Sequence, residues 1–378
     1  MPLLQPFSLH FPQGLHVGTR GVNLEEAGIH LPSDTIFAAL VDTWRRLGGD
    51  VDQWIAPFVA GYPPFLLTSA FPFAGDVRFF PAPVDLRRLF AQETAQGTGK
   101  RLRSVRFLSE GIVRRVLAGY PLPPTFFSAE GENEAQSGVA LQSGVLWLLP
   151  KEVEKLPAAL RLKGAGSPRP LPALLRQKVW ERSRTPRVTV DRIGSASNIF
   201  HAGHTHFAAG CGLWFGVEWR QPAQNMTAVG ASGYRDGLTK ALAVLGDEGL
   251  GGERSAGYGV FTTTPGEALD LPDPTPGGVA WLLSRYLPTP AELSVTLGHA
   301  QAAYQMTRVG GWVRSLDGAD QRRKQVMLLN EGSLIGWPAA STVGALADLR
   351  PDYNATLGEL PHPVYRSGLA LALGLAPQ

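Results

Sequence analysis

The feature that most constrains this chain is its supply of residues that interrupt helices and strands. Glycine occurs 44 times and proline 31 times among 378 residues. Because glycine weakens regular structure and proline breaks it, the sequence excludes a coiled coil and predicts short helices and strands joined by many turns. The hydrophobic share of 44% is sufficient for a buried core, which excludes a chain that is disordered throughout.

Length and cysteine content narrow the class of protein further. At roughly 150 residues per domain, the chain predicts two domains. The single cysteine, Cys211, excludes an internal disulfide framework and a Cys-x-x-Cys zinc site. The longest uncharged apolar run, 207–217, is shorter than the ~18 residues that cross a bilayer, and the N-terminal segment lacks the basic start of a secretory signal. We therefore expect a soluble cytoplasmic protein with no membrane partner.

Positive charge is concentrated in two segments. The formal net charge is only +3, but residues 161–192 contain nine basic and two acidic side chains, and residues 100–115 contain six basic and one acidic. Clustered cations bind polyanions because the phosphates release condensed counterions. Each segment alone is also compatible with a solvated basic loop, but the two together favour RNA or DNA as a ligand.

Local patterns predict a strand, a helix and a hairpin in the first half of the chain. Apolar side chains alternate over residues 7–11, which predicts a strand. After Pro32, apolar residues recur at helical spacing up to a Gly-Gly pair, which predicts a helix with Ser33 or Asp34 as its cap. Residues 187–192 alternate as a strand, residues 193–198 have turn composition, and a return strand follows. A single strand is also expected over residues 141–149.

The order of elements predicts the fold class. From about residue 206 onward, a strand, a helix and several strands follow one another, and the first half can be interpreted in the same way. This order predicts an α+β fold made of two tandem ferredoxin-like (RRM-like) domains. The boundaries are 1–205, with the basic loops and the projecting β-hairpin, and 206–378, with a glycine-rich loop.

The glycine-rich loop at residues 249–259 holds five glycines. A phosphate loop of the Walker or Rossmann type follows a strand and opens a helix, whereas here a predicted helix precedes the loop and a strand follows it. ATP or NAD is therefore not expected as a ligand. Glycine backbone can instead approach an anion closely, with Arg254 and Ser255 on a phosphate and Tyr258 stacked on a base. The alternative is a tight connection from helix to strand.

Several short motifs occur in an order that resembles a known family. They are His16-Val17-Gly18, Leu24-Glu25-Glu26, Pro32-Ser33-Asp34-Thr35-Ile36-Phe37-Ala38-Ala39-Leu40, Val190-Asp191-Arg192, Gly251-Gly252-Glu253-Arg254-Ser255-Ala256-Gly257-Tyr258-Gly259 and His362-Pro363-Val364-Tyr365-Arg366-Ser367-Gly368. Together they resemble the RAMP-superfamily subunit of the type III-A (Csm) CRISPR effector complex, the fourth in the Csm nomenclature. The resemblance spans nearly the whole chain.

This resemblance implies a fold and a function. It implies two ferredoxin-like domains and a non-catalytic subunit that grips the 5′ repeat-derived tag of the CRISPR RNA (crRNA) in antiviral defence. The implied partners are the large polymerase-related subunit, the repeating backbone subunit and, indirectly, the target RNA. A projecting β-hairpin of this superfamily wedges between segments of the guide–target duplex, and the best match here is the hairpin of residues 187–200.

The candidate RNA-binding residues combine cations, glycines, hydroxyls and aromatic rings. Ser33 lies at the N-terminus of the first predicted helix, where the helix dipole and free N–H groups suit a phosphate. The His16 side chain is expected to point away from the core, on the opposite strand face from Leu15 and Val17. The full predicted set is His16, Arg20, Ser33, Arg187, Arg192, Phe200, Lys240, Gly251, Gly252, Arg254, Ser255 and Tyr258. No cofactor is expected.

Two chemical alternatives remain open at this stage. A metal-independent endoribonuclease that processes CRISPR repeat RNA would need a positioned base and acid, such as His16 with Lys240 or Tyr258, while Glu25 and Glu26 offer carboxylates for Mg²⁺. Separately, His201, His204 and His206 cluster beside the hairpin. Since no acid or cysteine completes a set nearby, an ordinary surface position or RNA contact is favoured over metal binding there.

Overall fold

A computed structural model describes most of the chain. The described residues are 3–18, 28–91, 102–127, 137–190, 197–220, 233–313, 321–351, 360 and 362–376. Within them the structure is built from short helices and strands joined by turns, as the glycine and proline content predicts. Across the described ranges, no helix is both long and apolar enough to span a membrane.

Seven α-helices lie among the described residues, and three of them exceed eight residues. They are α1 (Ser33–Arg46), α2 (Val51–Val59), α3 (Glu110–Leu117), α4 (Ala158–Arg161), α5 (Leu171–Leu174), α6 (Tyr234–Glu248) and α7 (Leu293–Thr296).

Helix α1 confirms the predicted helix but corrects its cap. Its buried side includes Ile36, Phe37, Leu40 and Trp44, which recur at helical spacing and pack into the main core. The N-cap is Pro32, without a side-chain cap bond. The predicted caps Ser33 and Asp34 are therefore wrong, because both side chains are buried in tertiary contacts instead.

Twenty strands are described, most of them short. They are β1 (Leu4–His10), β2 (Phe65–Leu67), β3 (Phe71–Ala74), β4 (Val77–Pro81), β5 (Phe107–Ser109), β6 (Val139–Leu141), β7 (Leu146–Leu148), β8 (Trp180–Val190), β9 (Ser197–Phe207), β10 (Cys211–Trp219), β11 (Thr262–Pro265), β12 (Val279–Leu282), β13 (Met306–Val309), β14 (Trp312–Val313), β15 (Gln321–Arg322), β16 (Val326–Leu329), β17 (Leu334–Gly336), β18 (Gly344–Asp348), β19 (Tyr365–Leu369) and β20 (Ala372–Gly374).

The largest sheet combines strands from both halves of the chain. Its order is β11-β1-β10-β3-β4-β5-β7-β6, and β2 adds to β10. All pairs are antiparallel except β5 with β7. The structure thus confirms a mixed α+β fold with a large mixed sheet.

The predicted hairpin is confirmed and is longer than expected. Strands β8 and β9 pair with each other in antiparallel register from Trp180 opposite Phe207 to Val190 opposite Ser197. At its base, Leu15 and Thr205 exchange two backbone hydrogen bonds of 2.8 Å, which attach the hairpin to the segment that follows β1.

The C-terminal part contributes smaller sheets to the fold. Strands β17, β12 and β20 form a three-stranded sheet, while β13–β16, β14–β15 and β18–β19 are two-stranded. The main hydrophobic core includes buried residues from Leu4 to Leu373. Strand β9 crosses the predicted boundary at 205/206, so the division into domains 1–205 and 206–378 stays a prediction.

One predicted strand is wrong in its interior. Residues 141–149 contain the end of β6 and all of β7, which pair with each other, rather than a single strand. The chain reverses at Gln142 and Ser143, where φ is +53° and +58°. Positive φ is uncommon for residues other than glycine. Because neither residue at this turn is a glycine, the sequence pattern does not indicate the turn.

Candidate nucleic-acid interface

The glycine-rich loop of residues 249–259, here the glycine loop, joins α6 to β11 and lies against the segment that follows β1. The backbone N–H of Gly252 donates to the carbonyl oxygen of His16 at 2.9 Å. At Gly251, φ is +90°, and a Cβ built there would overlap the same carbonyl oxygen. These glycines therefore allow a close backbone approach, as the sequence predicts. The group approached is the backbone of His16, whereas the prediction was an anionic ligand. The N–H of Gly252 is already used within the protein.

The outer part of the glycine loop presents polar side chains to solvent. Residues Arg254–Ala256 form a single 3₁₀ turn, and the side chains of Arg254 and Ser255 are exposed. Glu253, which precedes the turn, is left-handed with φ of +55°. A guanidinium and a hydroxyl held side by side on such a turn can both reach an anionic ligand.

The hairpin meets the glycine loop through one of its two faces. This inner face includes Ser183 and Arg187 on β8 and His204 and His206 on β9, which alternation and register place on the same side. Arg187 Nη1 lies 3.3 Å from Oε2 of Glu253, a residue of the glycine loop.

Tyr258 forms the second link between the hairpin and the glycine loop. The His204 ring stacks on the Tyr258 ring with 4.8 Å between centroids and 27° between planes. The guanidinium carbon of Arg187 is 5.9 Å from the centre of the same ring, within the range of a cation–π contact. The structure therefore brings together two predicted residues that lie far apart in sequence.

Three histidines, His16, His204 and His206, lie next to the contact between the hairpin and the glycine loop. His16 is buried, with Nδ1 against the carbonyl oxygen of Gly203. His204 is also buried, and its Nε2 lies 2.6 Å from the Ser183 hydroxyl. The centres of the His204 and His206 rings are 4.7 Å apart, and the two rings are nearly perpendicular. Contrary to expectation, the His16 side chain does not face solvent, because the hairpin covers it.

The electrostatics of the junction favour neutral imidazole at His204. Burial, followed by the charges of His206, His16 and Arg187, lowers the pKa of His204 from 6.5. Among the described residues, no group of three or more His, Cys, Asp or Glu side chains is arranged to hold a metal ion.

Two predicted site residues lie in other surroundings. Lys240 on α6 forms an ion pair of 2.7 Å with Asp236, one turn earlier on the same helix. Ser33 is buried; its backbone N–H donates to Ser69 Oγ at 2.8 Å, and its own Oγ accepts from the backbone N–H of Arg285 at 2.9 Å. The start of α1 is therefore closed by protein groups, which corrects the expectation of an accessible phosphate site at Ser33.

Some predicted residues lie outside the described part of the chain. They are Arg20 and Arg192, together with Glu25 and Glu26 from the Mg²⁺ alternative. The backbone of Phe200 is described and pairs with Arg187, but its side chain is not.

A cluster of buried charged side chains near α1 is not indicated by any sequence pattern. Asp34 accepts from Arg366 Nη1 at 3.4 Å, and burial raises the pKa of Asp34 despite that charge. Arg323 lies close enough for the Arg366 charge to add to the effect of burial, and its pKa falls to about 10. The motif of residues 362–368 contains Arg366, but nothing in its pattern indicates a partner more than 300 positions earlier.

The second half of this cluster surrounds another buried acid. Glu331 faces Arg285 at 3.3 Å and His30 at 3.6 Å, and it accepts from the Ser69 hydroxyl. Burial alone would raise the pKa of Glu331, but these neighbours lower it. The cluster thus connects residues near α1 with the C-terminal part.

Comparison with known proteins gives matches along nearly the whole chain. Residues 276–375 match the family model of the CRISPR Csm4 C-terminal domain. The chain is 23% identical over 357 residues to the "CRISPR system Cms protein Csm4" of Thermococcus onnurineus (strain NA1), covering 91% of each chain. It is 25% identical over 366 residues to the protein of the same name from Mycobacterium tuberculosis (strain ATCC 25618 / H37Rv), covering 95% of this chain and 94% of that one.

Two crystal structures have a similar fold. One is the Csm3–Csm4 subcomplex of the type III-A CRISPR-Cas interference complex, with a TM-score of 0.62, 14% identity and coverage of 99% of this chain and 100% of that one. The other is the Csm1–Csm4 cassette in complex with cA4, with a TM-score of 0.51, 19% identity and full coverage of both chains. These structures show that the fold is shared. The family model and the two relatives confirm the resemblance to the fourth Csm subunit.

Proposed function

We propose that this chain, whose resemblance to Csm4 runs along nearly its full length, is the subunit of a type III-A CRISPR effector complex that binds the 5′ repeat-derived tag of crRNA. The tag is a single-stranded segment of RNA. Proteins bind such segments through a groove of cations that follows the phosphates and through aromatic rings on which bases stack.

The observation that carries this proposal is the junction of the hairpin with the glycine loop. Arg187 of the hairpin contacts Tyr258 and Glu253 of the glycine loop, and the exposed side chains of Arg254 and Ser255 follow Glu253 directly in that loop. In the proposed complex, Arg254 and Ser255 contact a tag phosphate, and the exposed part of the half-buried Tyr258 contacts a base. Arg187, paired with Glu253, lies beside Tyr258 and offers its remaining N–H groups.

Other predicted residues take supporting roles in this proposal. Gly251 and Gly252 hold the glycine loop against His16, so these three set the position of Arg254 rather than touch RNA. Ser33 and Lys240 already have protein partners and are left out of the proposed contact surface. Arg20, Arg192 and the Phe200 side chain stay predictions from the sequence.

The partners follow from the same resemblance. The similar structures contain Csm4 bound to Csm3 and Csm4 bound to Csm1. We therefore propose that this chain joins the repeating backbone subunit to the large polymerase-related subunit in the cytoplasm, where target RNA meets the guide. The proposed architecture keeps two tandem ferredoxin-like domains, with the hairpin projecting from the first.

A non-catalytic role fits the contacts better than the ribonuclease alternative. General acid–base cleavage needs a base and an acid that both reach the substrate. Yet His16 is buried against the Gly203 carbonyl oxygen, and Lys240 pairs with Asp236.

The proposal is tested by reversing the charge of Arg254. A guide RNA with its repeat-derived 5′ tag and the same RNA without the tag are titrated with wild-type chain and with Arg254→Glu, at several salt concentrations. We expect the variant to bind tagged RNA about tenfold more weakly and its salt dependence to fall by roughly one phosphate contact. The control is Lys151→Glu, an equal charge change at an exposed lysine of the 150–155 3₁₀ helix.

Two outcomes would argue against this assignment. If Arg254→Glu binds tagged RNA as tightly as wild type while its thermal unfolding is unchanged, the glycine loop does not contact the tag. If wild-type chain does not distinguish tagged from untagged RNA, the function itself is wrong.

A further inference from the structure

A two-stranded ribbon in the C-terminal part has no role in the proposed tag site. Among the described strands, β13 pairs with β16 alone and β14 with β15 alone. We call residues 306–313 and 321–329 the C-terminal ribbon. A single bridge from Leu329 to Tyr286 attaches its base to the C-terminal part. The ribbon therefore belongs to the folded protein, but no third strand of the described chain extends it.

A bulge separates the two halves of the ribbon without turning its first strand over. Position 309 lies opposite 326 in one half, and position 312 lies opposite 322 in the other. Residues 310–311 therefore face residues 323–325, so the second strand holds one extra residue, which is a β-bulge. Because the extra residue is on the second strand, alternation continues along the first strand. Met306, Arg308 and Trp312 then lie on the same side.

This side of the ribbon is exposed and largely apolar, whereas the other side is buried. Trp312 is 53% exposed, Met306 is 42% exposed, and Met327, which lies opposite position 308, is 41% exposed. Their neighbours Val313 and Leu328 are buried. Exposed apolar side chains that occur singly need no explanation, but a group of them on one face marks an interaction surface.

Cations accompany the apolar side chains of the exposed side. Arg308 is exposed and lies opposite Met327, and Arg322 is exposed and lies opposite Trp312. The guanidinium carbon of Arg322 is 5.3 Å from the centre of the Trp312 ring, within the range of a cation–π contact. The described part of the ribbon contains no acidic residue, and the two acids of residues 314–320 lie outside it.

The composition of this side favours a protein over a nucleic acid as its partner. Tryptophan, methionine and arginine are enriched in protein–protein interfaces, and tryptophan and arginine dominate their binding energy. A flexible thioether adapts to an apolar protein surface but offers no plane for base stacking. The Trp312 ring is, in addition, already covered on one face by Arg322. Since the described cations of the ribbon stand without acids, the complementary surface is acidic.

We infer that the exposed side of the C-terminal ribbon is the docking surface for a partner protein that presents an apolar centre bordered by carboxylates. Trp312, with Met306 and Met327, fills the centre, and Arg308 and Arg322 meet the carboxylates. The inference rests on the proposed function in one respect, because it takes the partner to be another subunit of the effector complex. It is independent of the tag site, which the hairpin and the glycine loop form.

The experiment uses the full chain and two purified subunits of the same complex, the large polymerase-related subunit and the backbone subunit. Each is titrated into labelled chain at low and high salt. We expect Trp312→Ala to weaken binding of at least one subunit about thirtyfold at both salt concentrations. Arg308→Glu should weaken the same subunit about tenfold at low salt and less at high salt.

Matched controls separate the ribbon from the rest of the surface. Tyr62→Ala removes another exposed aromatic ring, and Lys151→Glu makes the same change in charge at another exposed position. Both controls should bind each subunit within about twofold of wild type. The ribbon variants should bind tagged guide RNA and a short oligouridylate as tightly as wild type does. Circular dichroism and thermal unfolding of each variant exclude a loss of folding as the cause.

The outcomes distinguish this inference from the proposed function. If both ribbon variants bind both subunits as wild type does, the inference is wrong and the proposed function stands. If they lose RNA instead of a subunit, the ribbon binds nucleic acid and the inference is again wrong. If wild-type chain binds neither subunit, the joining role is wrong, and the docking surface is wrong with it. If Arg254→Glu keeps full tag binding while Trp312→Ala loses a subunit, the tag site fails and the docking surface stands.

Discussion

At the scale of single residues, glycines act in this chain by removing a side chain where two backbones touch. Gly251 combines φ of +90° with the carbonyl oxygen of His16 at the place where a Cβ would be. Gly61 has a similar φ of +80°, but nothing lies within 4 Å of its Cβ position. Substituting Gly61 therefore tests the free-energy cost of the left-handed backbone alone. Substituting Gly251 tests the same cost together with a steric overlap.

We expect Gly251→Ala to destabilise the chain more than Gly61→Ala. The Gly61 substitution lowers the free energy of unfolding only through the left-handed conformation, by about 1 kcal/mol. The Gly251 substitution must also displace the backbone at His16, which raises the cost to about 2 kcal/mol or more. Urea unfolding of both variants measures the difference, and equal losses would show that the contact with His16 is not maintained in solution.

His204 gives the junction a dependence on pH. Its pKa is lowered in the folded protein, chiefly by burial, so the unfolded chain binds a proton at this position more readily than the folded chain does. As the pH falls through 6.5, the unfolded state therefore gains protons first, and the free energy of unfolding decreases.

We expect His204→Gln to reduce this loss of stability. Glutamine can keep a hydrogen bond to Ser183 but does not titrate, so the variant should lose less free energy of unfolding than wild type between about pH 7.5 and pH 5.5. Urea unfolding at both pH values provides the comparison, with His362→Gln, at an exposed histidine, as the matched control. The same pH response in His204→Gln and wild type would rule out a contribution from His204.

At the scale of elements, local pattern predicts those elements whose residues are close in sequence. Helix α1 follows from the spacing of Ile36, Phe37 and Leu40, and the hairpin follows from alternation on either side of a turn. The start of α1 is different because its first side chains bond to residues far away in sequence. Ser33 contacts Arg285, and Asp34 contacts Arg366, so a capping rule based on neighbouring residues does not apply.

The contact of Asp34 with Arg366 is an attachment between α1 and β19. Asp34 Oδ1 has no hydrogen-bond partner among the described residues, and the Arg366 side chain is 14% exposed. Removing one charge from such a pair leaves the other buried without compensation, which costs more than the pair itself contributes.

We therefore expect Arg366→Met to destabilise the chain by about 3 kcal/mol. The double substitution Asp34→Asn/Arg366→Met should recover part of that loss, since no uncompensated carboxylate remains. A double-mutant cycle by urea unfolding, completed with Asp34→Asn, measures the coupling. Additive effects of the two single substitutions would contradict a direct interaction.

At the scale of the whole molecule, the glycine loop and the hairpin were each predictable from the sequence, but the contact between them was not. The glycine loop and the hairpin each carry a local sequence signal. Their contact through Arg187, Glu253 and Tyr258 depends on β1 lying between β10 and β11, and on Leu15 pairing with Thr205. Strand pairings across such sequence separations are set by the packing of the whole sheet, and no periodicity in one segment reveals them.

The same sheet determines how the two halves of the chain fold. Strand β1 from the first half has both of its neighbours, β10 and β11, in the second half, with six paired residues on the β10 side and four on the β11 side. Strands β2 and β3 also pair with β10. A fragment that ends at residue 205 would leave three strands with exposed edges and apolar faces, which favours aggregation over folding.

We accordingly expect fragments 1–205 and 206–378 not to fold when each is expressed alone, and to form a soluble complex when they are expressed together. Size-exclusion chromatography and circular dichroism of the separate and co-expressed fragments provide the test, with the intact chain as reference. Cooperative thermal unfolding of the isolated 1–205 fragment would show that the strands shared across the sheet are dispensable, and that the predicted domains are independent. If only the co-expressed pair unfolds cooperatively, the junction of hairpin and glycine loop forms only when both halves are present, since each half supplies one side of it.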